Sequence, residues 1–89
     1  MVIKFSRKFS KQDTKADKKI KLAFNQRLKI FFKNKSHPRL YNHPLKGKLN
    51  GYRSISITGD WRAIYSESEK KRGKIVIFEM PGTHGQLYN

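Results

Sequence analysis

The sequence contains no cysteine, and only 6 of its 89 residues are acidic. The absence of thiols excludes disulfides, thiolate metal sites and cysteine nucleophiles. No run approaches the roughly 18 apolar residues of a membrane-spanning helix, and residues 1–10 lack the apolar core of a signal peptide. We therefore expect a cytoplasmic protein.

Positive charge dominates the composition. Lysine and arginine number 21 against 6 acidic residues, which gives a formal net charge of +15. Residues 1–50 hold 15 of the basic residues and 2 of the acidic ones, so this half carries +13. Such charges repel one another in a compact chain, whereas contacts with phosphates release counterions and drive association. The charge predicts a polyanionic ligand, with an acidic protein partner, an anionic membrane surface and a solubilising surface as alternatives.

The N-terminal half has the pattern of an amphipathic helix. Thr14 and Asp17 have the spacing of a capping box, which predicts that the helix begins at Thr14. Proline at position 38 predicts that it has ended by then, near Lys35. The apolar stripe of this helix consists of Ala16, Ile20, Phe24, Leu28 and Phe31.

From Tyr52 onward the pattern changes to a period of two, which indicates strands. In the first of these strands, one side is shared by Arg53, Ile55 and Ile57. A second strand follows the turn 58–60, and residues 74–80 form a third, whose apolar run predicts burial on both faces. The short connections imply an antiparallel meander.

These patterns predict one domain, residues 1–89, because a chain of this length can build a single modest core. The predicted fold class is α+β, with N-terminal helices packed on a small twisted antiparallel sheet. Residues 2–5 alternate between apolar and polar types and are a candidate further strand of that sheet.

The residue types suit RNA cleavage better than other chemistry, since the sequence has no glycine-rich phosphate loop and no clustered metal-ligand spacing. Imidazole can take the 2′-hydroxyl proton or protonate the leaving 5′-oxygen. Arginine and lysine stabilise phosphate charge, and an aromatic ring can stack on an unpaired base. The candidates of these types are His43, Asp60, His84, Arg53, Arg62 and Tyr88. By composition alone this support is weak, because any basic protein of this size has such residues.

The order of these residues is more informative than their types. The run HPLKGKLNGYR begins at His43, the run GDWRAIY begins at Gly59, and the run GTHGQLY begins at Gly82. The first two together resemble the central motif of the RelE/ParE superfamily of type II toxin-antitoxin toxins. The third is similar to the C-terminal motif of the YafQ-like mRNA interferases in that superfamily. The resemblance extends over nearly the whole chain.

This resemblance implies an endoribonuclease that cuts messenger RNA in the ribosomal A site and is silenced by a cognate antitoxin. It implies attack by the 2′-hydroxyl with general acid–base transfer, and neither a metal nor another cofactor. The residues that match the family's catalytic positions are His43, Asp60, His84 and Tyr88. We expect RNA phosphates to be bound by Lys46, Lys48, Arg53 and Arg62.

Two positions depart from the YafQ-like pattern. Ser56 stands where that branch has a histidine, and Met80 stands where it has an arginine beside the scissile phosphate. A replacement positive charge could come from Arg53, Arg62 or Lys46.

Two other functions fit the same resemblance. A ParE-like inhibitor of DNA gyrase would perform no chemistry, and an inactive relative would bind RNA with strong salt dependence and leave it intact. The histidine pair His43 and His84, together with Asp60, favours the enzyme because a gyrase inhibitor has no need of them. The methionine at position 80 slightly favours the inhibitor.

Overall fold

A computed structural model describes residues 1–83, without the side chains of Asp13 and Thr83. Two short 3-10 turns, Pro38–Leu40 and Gly47–Leu49, separate its main elements. The helices are α1 (Arg7–Lys15) and α2 (Lys18–Lys33). The strands are β1 (Val2–Phe5), β2 (His43–Pro44), β3 (Arg53–Ser56), β4 (Trp61–Lys70) and β5 (Gly73–Thr83).

The strands form one five-stranded sheet in the order β1-β5-β4-β3-β2. Strands β2 to β5 form the predicted antiparallel meander. The candidate strand 2–5 joins it as β1, parallel to β5 and at the opposite edge from β2. This parallel pair makes the sheet mixed. After β1, the two helices connect one edge of the sheet to the opposite edge, where β2 lies. The meander then crosses the sheet from β2 to β5, and β5 pairs with β1 in parallel orientation. The α+β prediction is confirmed.

The predicted helix start at Thr14 is wrong. Helix α1 continues through Thr14 to Lys15, and the Thr14 hydroxyl donates a hydrogen bond back to the Ser10 carbonyl at 2.8 Å. A hydroxyl that bonds within its own helix cannot cap the next one. Asp17 caps α2 by itself, because its carboxylate accepts from the Lys19 amide at 3.2 Å. Neither helix in this part of the chain is long and apolar enough to span a bilayer.

The core lies between the two helices and one face of the sheet, which we call the near face. Phe9 of α1 and two phenylalanines of α2, Phe24 and Phe31, are buried there. They pack on the near-face residues Ile55, Ala63, Tyr65, Val76 and Phe78, all of which are completely buried. The alternation predicted for the strands is therefore confirmed, since these residues share one side of the sheet.

A β-bulge interrupts the pairing of β4 and β5. Ile64 pairs with Met80 and Tyr65 pairs with Phe78, which leaves Glu79 as the extra residue of β5. The Glu79 carbonyl accepts a hydrogen bond from the Ser6 hydroxyl at 2.7 Å. The same hydroxyl oxygen accepts from the Phe9 amide at 2.9 Å. Ser6 therefore caps α1 and ties the start of that helix to the bulge.

Candidate active site

The side of the sheet away from the helices, here the far face, carries the predicted catalytic residue His43 and the predicted phosphate-binding residue Arg62. His43 pairs with Ser54, Ser54 pairs with Ile64, and Ile64 pairs with Met80. Paired residues lie on the same side of a sheet, so these four form one row across the far face. Ser54 and Ile64, at the centre of the row, are completely buried, whereas His43 at the edge is exposed.

A second row runs parallel to the first and lies two residues away from it on each of the strands β3, β4 and β5. It consists of Ser56 on β3, Arg62 on β4 and Gly82 on β5. Arg62 is half-buried, and Asp60 is exposed in the turn that leads into β4. The hydroxyl of Ser56 donates to the Thr58 carbonyl at 3.1 Å. Ser56 thus supports the β3–β4 turn at the position where the YafQ-like branch has a histidine.

The imidazole of His43 is oriented by the backbone. Its Nδ1 lies 2.8 Å from the Tyr41 carbonyl oxygen. A carbonyl oxygen can only accept, so Nδ1 carries the proton and the neutral ring keeps its lone pair on Nε2. The other histidine before a proline, His37, is arranged in the opposite way, because its Nδ1 accepts from the Arg39 amide at 3.1 Å. Of these two described histidines, His43 is the one whose neutral ring leaves Nε2 as a proton acceptor.

The predicted phosphate-binding residues occupy different places. Lys46 and Lys48 are exposed in the segment between β2 and β3. Arg62 lies on the far face, but Arg53 pairs with Tyr65 and so shares the near face with it. The Arg53 Nε donates to the Asn42 amide oxygen at 2.8 Å. The structure therefore does not bring Arg53 together with His43 and Arg62.

Two of the predicted catalytic residues, His84 and Tyr88, lie outside the described residues. Their roles stay predictions from the resemblance. Within residues 1–83, no three histidine, aspartate or glutamate side chains are grouped so that they could hold a metal ion.

A cleft of about 420 Å³ lies between α1 and the ends of β4 and β5. Its walls include Trp61 and Met80 from the sheet and Lys8 and Lys15 from α1. An indole beside two lysines suits a nucleotide, because an aromatic ring can stack on a base while cations contact phosphates. Sequence patterns did not predict this cleft, because Lys8 and Lys15 lie 46 to 72 residues before Trp61 and Met80 in the chain.

Asn42 is the second feature that sequence reasoning missed. Its amide nitrogen donates to the Lys35 carbonyl at 3.0 Å and to the Tyr65 hydroxyl at 2.7 Å. Its amide oxygen accepts from Arg53. The only signal in the sequence is its position directly before His43.

The substitution Tyr65→Phe is expected to make stability less sensitive to alkaline pH. Burial raises the pKa of the Tyr65 hydroxyl above its ordinary value of 10.0, because the phenolate would lose its hydration, and the Asn42 amide partly opposes this. The unfolded chain therefore loses this proton first. Stability that is fully present below about pH 10 is lost as the pH rises through the raised pKa.

Urea unfolding at a series of pH values from about 8 to 12 measures this effect. The wild type should lose stability above about pH 10 more steeply than Tyr65→Phe. Tyr41→Phe, at a tyrosine that is 71% exposed, is the matched control and should follow the wild type. Equal alkaline slopes for Tyr65→Phe and the wild type would contradict the prediction.

Comparison with known proteins gives a consistent result. A family profile described as "Bacterial toxin of type II toxin-antitoxin system, YafQ" matches residues 1–89. The mRNA interferase toxin YafQ of Escherichia coli K12 is 40% identical over 52 residues, which is 57% of this chain and 52% of the relative. The matched stretch thus spans about half the length of that curated protein.

Solved structures match over almost the whole chain. A YafQ mutant from E. coli superimposes with a TM-score of 0.76 at 29% identity, covering 98% of this chain and 97% of the mutant. YafQ in the E. coli DinJ-YafQ complex gives a TM-score of 0.65 at 29% identity, with the same coverage of both chains. A YoeB/ParE toxin from Agrobacterium tumefaciens, at 18% identity and a TM-score of 0.76, shares the fold and covers 94% of this chain and 99% of its own.

Proposed function

The chain belongs to the YafQ family of bacterial type II toxins, and we propose that it is an endoribonuclease that cleaves messenger RNA on the ribosome. The main support is the ring of His43, which is exposed and has its Nδ1 proton engaged by the Tyr41 carbonyl. Arg62 lies on the same face of the sheet, one row further along. The curated relatives are named mRNA interferase toxins, which agrees with this reading.

In the proposed reaction, Nε2 of His43 takes the proton of the 2′-hydroxyl. The 2′-oxygen then bonds to phosphorus, and the bond from phosphorus to the 5′-oxygen breaks. The 5′-oxygen leaves with a proton from a general acid, for which His84 is the candidate that the resemblance supplies. The products are a 2′,3′-cyclic phosphate and a 5′-hydroxyl.

Arg62 is the best replacement for the arginine that the YafQ-like branch has at position 80. It lies on the far face, as Met80 does, and one row away from it. Its guanidinium can stabilise the charge that develops on the phosphate oxygens. Lys46 follows β2 and can add a phosphate contact near His43, whereas Arg53 lies on the opposite face.

The ribosome, messenger RNA and a cognate antitoxin are the proposed partners. With a net charge of +15, the chain is suited to ribosomal and messenger RNA, and also to an acidic segment of an antitoxin. One of the similar solved structures is YafQ in complex with DinJ, which is consistent with an antitoxin partner. A messenger RNA target would place the action of this single domain in the cytoplasm.

Primer-extension mapping of messages after induced expression in bacteria tests the proposed activity. We expect cuts inside translated codons for the wild type and none for His84→Ala. A message without its start codon is the control for ribosome dependence and should stay intact.

Growth arrest with intact messages would contradict the ribonuclease. It would point to the ParE-like alternative, which a gyrase supercoiling assay checks. Salt-sensitive RNA binding without cleavage would instead indicate the inactive relative.

A further inference from the structure

Asn42, the residue before His43, is attached to three separate parts of the fold. One amide hydrogen of its side chain bonds to the Lys35 carbonyl, in the segment after α2, at 3.0 Å. The other bonds to the Tyr65 hydroxyl on β4 at 2.7 Å, and the amide oxygen accepts from the Arg53 Nε on β3 at 2.8 Å. Both donors of the amide and one acceptor site are therefore used.

The partners of Asn42 are themselves held in place. Arg53 and Tyr65 face each other across the β3–β4 pair, so two neighbouring strands fix the position of the amide. Tyr65 is completely buried, and its ring packs edge-on against Phe31 at a centroid distance of 5.1 Å. A side chain bound to such a rigid part of the core can hold a loop in one conformation.

The loop before β2, which contains Tyr41 and Asn42, includes an unfavourable backbone conformation that other contacts must stabilise. Tyr41 has a φ of 47°, which is a left-handed conformation that non-glycine residues rarely adopt. Its side chain is 71% exposed, so packing of the ring does little to fix this conformation. The Tyr41 amide bonds to the Pro38 carbonyl at 3.2 Å, and the next anchor along the chain is Asn42.

The left-handed turn directs the Tyr41 carbonyl to His43, whose Nδ1 donates to it at 2.8 Å. We propose that Asn42 is a positioning residue for His43: by fixing the Tyr41 turn it holds the imidazole in the tautomer with the proton on Nδ1. Arg53 belongs to this arrangement because its Nε donates to the Asn42 amide oxygen. The value of this tautomer for catalysis rests on the proposed function, but the tautomer itself does not.

Nitrogen-15 NMR of the histidine rings tests this directly, because it distinguishes the two neutral tautomers without any substrate. In the wild type, neutral His43 should be mainly protonated at Nδ1. In Asn42→Ala, the ratio of the Nδ1-protonated to the Nε2-protonated form should fall about fivefold, the factor expected from losing one ordinary hydrogen bond. His37, whose Nδ1 accepts from Arg39, is an internal reference and should keep its tautomer.

Two further variants distinguish a specific effect on the His43 ring from a general disturbance of the fold. Asn50→Ala changes an exposed asparagine on the other side of β2, in the segment between β2 and β3, and should keep the wild-type ratio. Tyr65→Phe removes the hydroxyl that accepts from Asn42 at 2.7 Å and that also interacts with Arg53. It keeps the ring in the core and should shift the ratio in the same direction by less. It provides the test if Asn42→Ala does not fold.

An unchanged His43 tautomer ratio in a folded Asn42→Ala, or in Tyr65→Phe if Asn42→Ala does not fold, would overturn the proposal. In single-turnover cleavage, we expect Asn42→Ala to lower the rate at saturating RNA while leaving the RNA concentration for half-saturation unchanged. If the ratio shifts but even the wild type fails to cleave, the positioning stands and the proposed reaction is contradicted.

Discussion

Replacing Phe78 with alanine is expected to remove a large part of the free energy of unfolding. The Phe78 ring is completely buried, and five other rings lie around it with centroid distances of 5.4 to 5.9 Å. Truncating a buried phenylalanine costs about 3–5 kcal/mol. The whole stability of a domain this size is about 4–13 kcal/mol, so the loss approaches the lower end of that range.

Urea unfolding followed by circular dichroism measures the loss. Phe32→Ala is the matched control, since it removes the same atoms from a ring that is 61% exposed, and its effect should stay within about 0.5 kcal/mol. If Phe78→Ala lay within about 1 kcal/mol of the wild type, the central place of this ring in the core would be contradicted.

The position of Phe78 also indicates what a sequence pattern can predict about this fold. The apolar run of residues 74–80 predicted a strand with both faces buried, and β5 contains that run. Burial on both faces was wrong, because Val76 and Phe78 are buried whereas Ile75 and Ile77, on the other side, are only half-buried. The pattern did not predict the bulge at Glu79 or the parallel pairing of β1. Both depend on contacts with distant residues, such as the bond from Ser6 to the bulge. The start of the second helix was predicted too early, at Thr14, because the capping-box spacing does not show that Thr14 bonds back within α1 and that Asp17 caps α2 alone.

The candidate site was predictable to a similar extent. Motif order made His43 and Asp60 catalytic candidates, and their roles stay predictions. Strand alternation already placed Arg53 on the same side as Ile55 and Ile57. That alternation conflicts with a shared phosphate site for Arg53 and Arg62, and the structure follows the alternation. The role of Asn42 was not predictable, because its partners lie 7, 11 and 23 residues away in the chain.

The substitution His43→Ala is expected to lower the rate of RNA cleavage by about 10²–10⁴-fold, the usual contribution of a general base or acid. The exposed imidazole makes one hydrogen bond in the described part of the chain, to the Tyr41 carbonyl, so its removal should cost little stability. Single-turnover cleavage of a ribosome-bound message measures the rate, and thermal unfolding checks that the variant is folded.

The other histidine before a proline provides a matched control for this experiment. His37→Ala removes the bond that caps the first 3-10 turn, at a cost of about 0.5–2 kcal/mol of stability. It should leave the cleavage rate of the folded protein within a few-fold of the wild type. Thus His37→Ala should mainly reduce stability. His43→Ala should mainly reduce the rate of cleavage. If both variants lost activity equally while folded, His43 would not be the base, because the two histidines differ in the nitrogen that they leave free.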